Sequence, residues 1–297
     1  MAATVTVAAA GETAKPLMGW ADLLARPRPV ADRRISYGPD PLQVVDVWLP
    51  KGAGPFPVVV MVHGGCWTTS VANMSIMDWA AQDLRAHGIA VWNIEYRGVD
   101  RLGGGYPGTF ADAAAAADAL SAHARELHVS TRRVVATGHS AGGHLAFWLA
   151  SRAALPPASP LRSPHPLRIT AAISSGGLPD LAAARARGDA SCGAETIDRL
   201  VSAPRQGAYA DTSLAETPPA RAELVIIDGE QDTISPPSLN AAFVQTMVAK
   251  GKTVRQITLP DTGHVELIAP GSAAWERTRA ELQRLLAPRR PGKTTAR

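Results

Sequence analysis

A serine flanked by glycines, in the segment GHSAGG, is the first residue whose type and spacing suggest chemistry. Ser140 lies two residues after Gly138 and two residues before Gly142. The preceding segment RRVVATGH is typical of a strand, and the following segment AGGHLAFWLASRA is rich in helix formers. A G-x-S-x-G pattern is weak evidence by itself, but between a strand and a helix it predicts a sharp turn that exposes the serine hydroxyl. We therefore predict that Ser140 is a nucleophile.

A histidine that follows a predicted strand is the candidate base for this serine. A serine hydroxyl is a poor nucleophile at neutral pH, so it needs a base and a third group that orients the base. Only His165 and His264 come after the helix that follows Ser140. His165 lies between prolines in a segment that predicts an exposed loop, whereas His264 comes directly after a predicted strand. We predict that His264 is the base.

The segment IIDGEQDT supplies the candidate acids. Asp228 lies at the end of a predicted strand, and Glu230 reads most simply as a solvated turn residue. Asp232 lies beyond the turn and closest to the following loop. We predict that Asp232 orients His264, with Glu230 as the main alternative. The resulting chain order of serine, aspartate and histidine is that of the α/β-hydrolases.

The segment HGGCW, at residues 63–67, is the candidate for the second half of an oxyanion hole. It ends a predicted buried strand, and its glycines allow the backbone to approach a substrate closely. Taken alone, it reads as a flexible turn. Together with the N–H group of Ala141, which follows the nucleophile, the N–H groups of Gly64 and Gly65 would bind an oxyanion. Cys66 remains an alternative donor, so the identity of the second donor stays open.

Two neighbours of these glycines are candidate substrate-binding residues. Cys66 lies beside the expected oxyanion hole, and its simplest interpretation is a small packing residue. Trp67 either lines the acyl or leaving-group pocket or packs in the core.

The elements that must position these residues alternate along the chain. Strands are predicted near residues 34–38, 43–50, 55–65, 90–98, 132–140, 168–177, 222–229 and 253–264, and helices near 19–27, 75–87, 110–127, 141–153, 237–250 and 273–286. This alternation predicts an α/β fold with a mostly parallel central sheet and helices on both faces. Ligands of such sheets bind at the carboxyl ends of the strands, which is where the candidate residues lie.

The predicted organisation has three parts. Residues 1–30 form a partly helical N-terminal segment, residues 31–287 form one hydrolase domain without a large separate cap domain, and residues 288–297 form a basic, flexible tail. Within the domain, residues 178–220 are irregular and long enough to cover an active site. That stretch holds three unranked candidates for ligand recognition, which are Cys192, Tyr209 and Leu214.

Composition and charge narrow the function classes. The chain has 297 residues, is 46% hydrophobic and carries a formal net charge of +4. The tail alone contains four basic residues and no acid, so the rest is near neutral and nucleic-acid binding is not expected. No apolar run approaches the length of a membrane span, and we expect no membrane association. The two cysteines are too few for a disulfide framework and lack metal-ligand spacing, which fits a cytoplasmic protein without metal or cofactor.

The four segments HGGCW, GHSAGG, DGEQD and DTGHVELI, in this order, resemble the HGG-type esterase branch of the α/β-hydrolase superfamily. Within that branch the sequence is similar to arylformamidases (kynurenine formamidases) and related bacterial carboxylesterases, over roughly Ser36 to Leu286. The segments YGPDPLQVVDVWLP and GGYPGTFADAAAAADAL share the resemblance. The HGG segment departs from the hormone-sensitive-lipase type at Cys66, where that type has glycine.

The resemblance implies the α/β-hydrolase fold and a catalytic role for each matched residue. Ser140 would be the nucleophile, Asp232 would orient the base, and His264 would act first as base and then as acid. The N–H groups of Gly64, Gly65 and Ala141 would bind the oxyanion.

The predicted function is therefore hydrolysis of a small ester or aryl formamide through an acyl-enzyme. The alternatives are a peptidase of the prolyl-oligopeptidase type, which carries a large additional domain, and a non-catalytic ligand receptor on the same fold. Such a receptor would ordinarily have lost a member of the triad. A small molecule is the expected partner, and a homodimer formed through an edge element is compatible with the fold.

Overall fold

A single eight-stranded sheet forms the centre of the computed structural model, which describes residues 16–288. The strand order is β1-β2-β4-β3-β5-β6-β7-β8. β2 pairs antiparallel with β1 and β4, and all other pairs are parallel. The strands are β1 (Arg33–Ser36), β2 (Val44–Trp48), β3 (Phe56–Val62), β4 (Ala90–Ile94), β5 (Val129–His139), β6 (Ile169–Ser175), β7 (Glu223–Gly229) and β8 (Val254–Leu259).

Eight α-helices accompany the sheet in the described residues. They are α1 (Trp20–Leu24), α2 (Asp78–Ala86), α3 (Gly108–His123), α4 (Ala141–Ser151), α5 (Leu181–Ala186), α6 (Ala194–Val201), α7 (Pro237–Ala249) and α8 (Ala273–Leu286). Side chains of α1, α2 and α8 pack in one hydrophobic cluster, and side chains of α3 to α7 pack in the other.

The apolar run in β3 shows why the sheet is covered on both faces. Val58, Val60 and Val62 belong to the cluster with α3 and α4, whereas Val59 and Met61 belong to the cluster with α2 and α8. Successive side chains of a strand point to opposite faces, so a strand buried on both faces has no polar alternation. The predicted mostly parallel sheet with helices on both faces is confirmed.

The segment of residues 178–220 contains α5 and α6 and is held to the rest of the domain by side-chain hydrogen bonds. His144 Nε2 donates to Thr212 O at 2.7 Å, and Trp148 Nε1 donates to Asp211 O at 2.8 Å. Arg199 Nη2 donates to Val99 O at 2.6 Å. The segment is therefore joined to α4 and to the loop after β4.

Most of the predicted basic tail, residues 289–297, and the first half of the predicted N-terminal segment lie outside the described residues. The domain boundaries remain predictions. Between residues 16 and 288, no helix combines the length and the apolar composition needed to cross a membrane.

Burial of His144 is expected to make the stability of the fold depend on pH. Burial lowers the pKa of His144 to about 4, against 6.5 for an accessible histidine. Above pH 6.5 the ring is neutral in both the folded and the unfolded chain. Between pH 6.5 and 4 only the unfolded chain binds the proton. The unfolding free energy of the protein therefore falls by about 3 kcal/mol, through His144 alone, as the pH falls through that range.

The His144→Gln variant isolates this effect because an amide can still donate to Thr212 O and does not titrate there. The unfolding free energy of the wild type, minus that of the variant, is expected to fall by about 3 kcal/mol from pH 7 to pH 4. Urea denaturation at the two pH values measures it, with His165→Gln as a control at an exposed histidine. A difference that does not change with pH would show that His144 takes up its proton in the folded chain.

Candidate active site

Ser140 occupies a strained turn between β5 and α4. Its backbone angles are φ 54° and ψ −124°, a conformation that few residues other than glycine adopt. A Cβ atom on Gly138 would lie 2.0 Å from Gly142 O, and a Cβ on Gly142 would lie 2.2 Å from Val62 O. Both positions therefore admit only glycine, which is the steric reason for the G-x-S-x-G pattern. The turn places Ser140 at the carboxyl end of β5 and at the first turn of a helix.

His264 and Asp232 meet at the same edge of the sheet. The turn after β7 carries Asp232 and the loop after β8 carries His264, and His264 Nδ1 lies 2.7 Å from Asp232 Oδ2. Asp232 Oδ1 accepts hydrogen bonds from the backbone N–H groups of Ile234 at 2.9 Å and Ser235 at 3.0 Å. Because a carboxylate has no proton to donate, Nδ1 of His264 carries the proton and Nε2 is left as the basic nitrogen.

The alternative acids and the alternative base lie elsewhere. Asp228 is buried and accepts hydrogen bonds from Asn240 and Gln256, both at 2.7 Å, and burial raises its pKa to about 6. Glu230 and His165 are exposed. Of the three carboxylates considered, the structure brings Asp232 to His264. Within residues 16–288 no hydrogen bond joins Ser140 to His264, so that link belongs to the proposal below.

The HGG segment approaches Ser140 closely. A Cβ on Gly64 would lie 3.0 Å from Ser140 Cβ and 2.9 Å from His139 O. In the described part of the chain, the N–H groups of Gly64, Gly65 and Ala141 donate no hydrogen bond to another residue. Ala141 is the first residue of α4, where the N–H groups of a helix lack partners within it. These three groups are thus available to a ligand beside Ser140.

A buried ion pair that sequence reasoning missed holds the carbonyl groups of this segment. His63 Nε2 lies 2.7 Å from Glu95 Oε1, and His63 Nδ1 lies 2.7 Å from Gly64 O. Glu95 Oε1 and Gly64 O are both acceptors, so each ring nitrogen of His63 faces an oxygen to which it can donate. Burial alone would raise the pKa of Glu95, but the charge and hydrogen bond of His63 hold it below its usual range.

The orientation of the HGG peptides follows from these contacts. Gly64 O is bound by His63, and Tyr96 Oη donates to His63 O at 3.0 Å. In a trans peptide the N–H group points opposite to the carbonyl group. The N–H groups of Gly64 and Gly65 therefore point away from the His63, Glu95 and Tyr96 side chains. In the sequence, the signal for this pair is that His63 and Glu95 each come directly after the mostly apolar run of a predicted strand.

His139, which precedes Ser140, supports the loop of the candidate base. Its Nε2 donates to His264 O at 2.9 Å, and the centres of the two rings are 4.3 Å apart. Burial, reinforced by the neighbouring His264, lowers the pKa of His139 well below 6.5. His139 is therefore neutral and adds no fixed charge beside His264.

The prediction for the cysteines is wrong. Cys66 and Cys192 form a disulfide bond, with their Cα atoms 5.3 Å apart, so Cys66 is not an ordinary packing residue. The two residues are separated by 126 positions, and they meet because the 178–220 segment folds over the HGG segment. Because the two cysteines are paired, they give no support to a reducing compartment. The cytoplasmic location remains only a prediction.

The three other candidates for substrate or ligand binding, Trp67, Tyr209 and Leu214, differ in burial. Trp67 has no exposed surface and packs in the core, edge-on to the His144 ring at 5.4 Å between centres. Leu214 is likewise fully buried, whereas Tyr209 is half-buried. The core position of Trp67 agrees with the packing alternative.

Comparison with known proteins gives a family match over most of the chain. The model of the BD-FAE family matches residues 45–247. A probable isoprenylcysteine alpha-carbonyl methylesterase of Arabidopsis thaliana is 32% identical over 119 residues, which are 40% of this chain and 24% of that protein. Esterase LipC of Mycobacterium tuberculosis is 32% identical over 139 residues, which are 46% of this chain and 33% of that protein. The chain thus spans a third or less of these curated relatives.

A solved structure with a similar fold is that of esterase B from Lactobacillus rhamnosis. It superimposes with a TM-score of 0.73 and 20% sequence identity, covering 88% of this chain and 87% of that chain. This similarity concerns the fold.

Proposed function

The chain belongs to the BD-FAE family of α/β-hydrolases, and we propose that it is a serine hydrolase that cleaves small carboxylic esters through an acyl-enzyme. The observation that carries the proposal is the meeting of His264 and Asp232 at the sheet edge where the strained turn presents Ser140. An orienting carboxylate, a base with a free Nε2 and a serine on an elbow are the parts that acyl transfer needs.

The proposed reaction begins with attack by Ser140 Oγ on the ester carbonyl carbon. His264 Nε2 takes the hydroxyl proton as the new C–O bond forms, and Asp232 stabilises the resulting imidazolium through Nδ1. Collapse of the tetrahedral intermediate breaks the bond to the alcohol, which leaves with the proton from His264. Water, deprotonated by His264, then releases the acid and regenerates Ser140.

Backbone N–H groups are proposed to stabilise the oxyanion of both tetrahedral intermediates. Ala141 donates from the first turn of α4, where the helix dipole also favours a negative charge. Gly64 and Gly65 donate from the loop whose carbonyl groups face away toward the His63 and Tyr96 side chains. Donors fixed in advance need no reorganisation when the charge develops.

The choice of an ester rests on the two similar proteins described above, a probable methylesterase and esterase LipC. An aryl formamide needs the same nucleophile, base and oxyanion donors, and the difference lies in the walls of the pocket. Residues 178–220, which the Cys66–Cys192 disulfide joins to the HGG segment, are proposed to supply part of those walls.

Hydrolysis of p-nitrophenyl butyrate and of N-formylkynurenine, measured side by side, tests the proposal. We expect a clear preference in kcat/KM for the ester. Preference for the formamide would make the protein an arylformamidase on the same catalytic frame. Saturable binding of both compounds without turnover of either would favour a ligand receptor and overturn the enzymatic proposal.

A further inference from the structure

We propose that the Cys66–Cys192 disulfide is a positioning device for the oxyanion loop, residues 63–68, and that its reduction slows acyl transfer. The inference rests on the proposed function. Cys66 directly follows Gly65, one of the proposed oxyanion donors, while Cys192 lies just before α6 in the 178–220 segment. The bond therefore joins the loop that stabilises the transition state to the segment that covers it.

The backbone around Cys66 is in a conformation that needs support. Gly65, Cys66 and Trp67 have φ values of 101°, 51° and 52°, so three successive residues have positive φ. Only the first of them is glycine, and residues with a Cβ atom pay a steric cost in this region. Such a conformation persists when the surrounding structure fixes it. The disulfide fixes it at Cys66, at the first of the two unfavourable positions.

The two ends of the loop are held in different ways. The carbonyl groups of His63 and Gly64 are bound by the Tyr96 and His63 side chains at the end nearest the sheet. After the disulfide, Trp67 O accepts a hydrogen bond from Val99 N at 2.7 Å. At Cys66 itself the side-chain connection to the rest of the protein is the covalent bond. Within the loop, Gly65 O accepts a hydrogen bond from Thr68 N at 2.9 Å, and Cys66 O accepts one from Thr68 Oγ1 at 3.0 Å. Cutting the disulfide keeps these two bonds but removes the covalent tie between Cys66, next to Gly65, and the 178–220 segment.

The 178–220 segment is also held by contacts other than the disulfide. Thr212 and Asp211 accept hydrogen bonds from His144 and Trp148, Arg199 donates to Val99, and Leu200 is fully buried. None of these contacts involves a cysteine. Reduction is therefore expected to loosen the loop at Cys66 rather than unfold the 178–220 segment.

The chemistry of the change is a two-electron exchange with a dithiol. A thiolate of the dithiol attacks one sulfur, giving a mixed disulfide and releasing the other cysteine as a thiolate. The second thiol of the reagent then closes its own disulfide ring, and the two cysteines end as thiols after taking up two protons. Cys66 is half-buried while Cys192 is buried, so attack is expected at the Cys66 side.

The test compares kcat and KM of the wild type before and after treatment with dithiothreitol, with thiols counted under native conditions and after denaturation. We expect no free thiols in the untreated protein, a fall in kcat of about tenfold after reduction with KM changed less than threefold, and recovery on reoxidation. The variant Cys192→Ser should show the low kcat without reductant and no further response to it. The double variant Cys66→Ser/Cys192→Ser should behave like Cys192→Ser.

A purely structural role would lower the melting temperature and the folded fraction while leaving kcat per folded molecule unchanged. A reduced wild type with kcat within twofold of the oxidised form overturns the inference, as do free thiols in the untreated protein. Amide hydrogen exchange of the peptide spanning residues 63–68 gives a readout that does not need turnover. Faster exchange on reduction supports positioning of the loop, and unchanged exchange contradicts it, even for a protein on which the proposed esterase activity has failed.

Discussion

Replacement of Ser140 by alanine is expected to lower kcat for p-nitrophenyl butyrate by a factor on the order of 10⁶. The alanine has no atom that can form the acyl bond, so only water delivered to an oriented substrate remains as nucleophile. KM is expected to change little, because the pocket and the backbone N–H groups are retained. Steady-state kinetics at pH 7.5 measure both constants, and a phosphonate ester should label the wild type at Ser140 and leave the variant unlabelled.

The control for this prediction is a second buried serine at the same sheet edge. Ser175 ends β6, and its carbonyl oxygen accepts a hydrogen bond from Ser140 N at 2.9 Å, whereas its hydroxyl has no partner among the described residues. Ser175→Ala should keep kcat within a few-fold of the wild type. If Ser140→Ala retained full activity on the ester, the interpretation of GHSAGG as a nucleophile elbow would be wrong.

The order of strands and helices could be predicted because hydrophobic runs and glycine-containing turns mark their ends. The run from Val58 to Val62 indicates a strand buried on both faces, and β3 is such a strand. Ser140, Asp232 and His264 each come after a predicted strand. In parallel strands the carboxyl ends lie at one edge, so residues 32 positions apart, such as Asp232 and His264, meet there.

The contacts that support the site could not be predicted in the same way. Pairing of Cys66 with Cys192 depends on how an irregular segment folds over a loop, and the spacing of two cysteines carries no such information. The His63 and Glu95 pair joins the ends of β3 and β4, and the neighbouring order of these strands is set by tertiary packing. Strands follow from local patterns, whereas the groups that hold an active-site loop follow from the completed fold.

Replacement of Asp232 by asparagine is also expected to lower kcat strongly. In Asp232→Asn an amide replaces the carboxylate atom that lies 2.7 Å from His264 Nδ1. Asparagine can present its NH₂ group to His264 while its carbonyl oxygen keeps the hydrogen bonds from the Ile234 and Ser235 N–H groups. His264 Nδ1 then becomes the acceptor, the proton moves to Nε2, and the base is in the wrong tautomer. We expect kcat to fall by about 10⁴ with the fold intact.

The matched controls for Asp232→Asn are the carboxylates that the sequence left as alternatives. Glu230 is exposed and Asp228 is bound to Asn240 and Gln256, so Glu230→Gln and Asp228→Asn should keep kcat within about tenfold of the wild type. A collapse of activity in Glu230→Gln with Asp232→Asn unaffected would assign the orienting role to Glu230. Since hydroxide attacks without a base, the residual activity of Asp232→Asn should rise with pH above the range where the wild type has reached its plateau. That rise separates loss of the tautomer from loss of the fold, because an unfolded variant gains no activity at high pH.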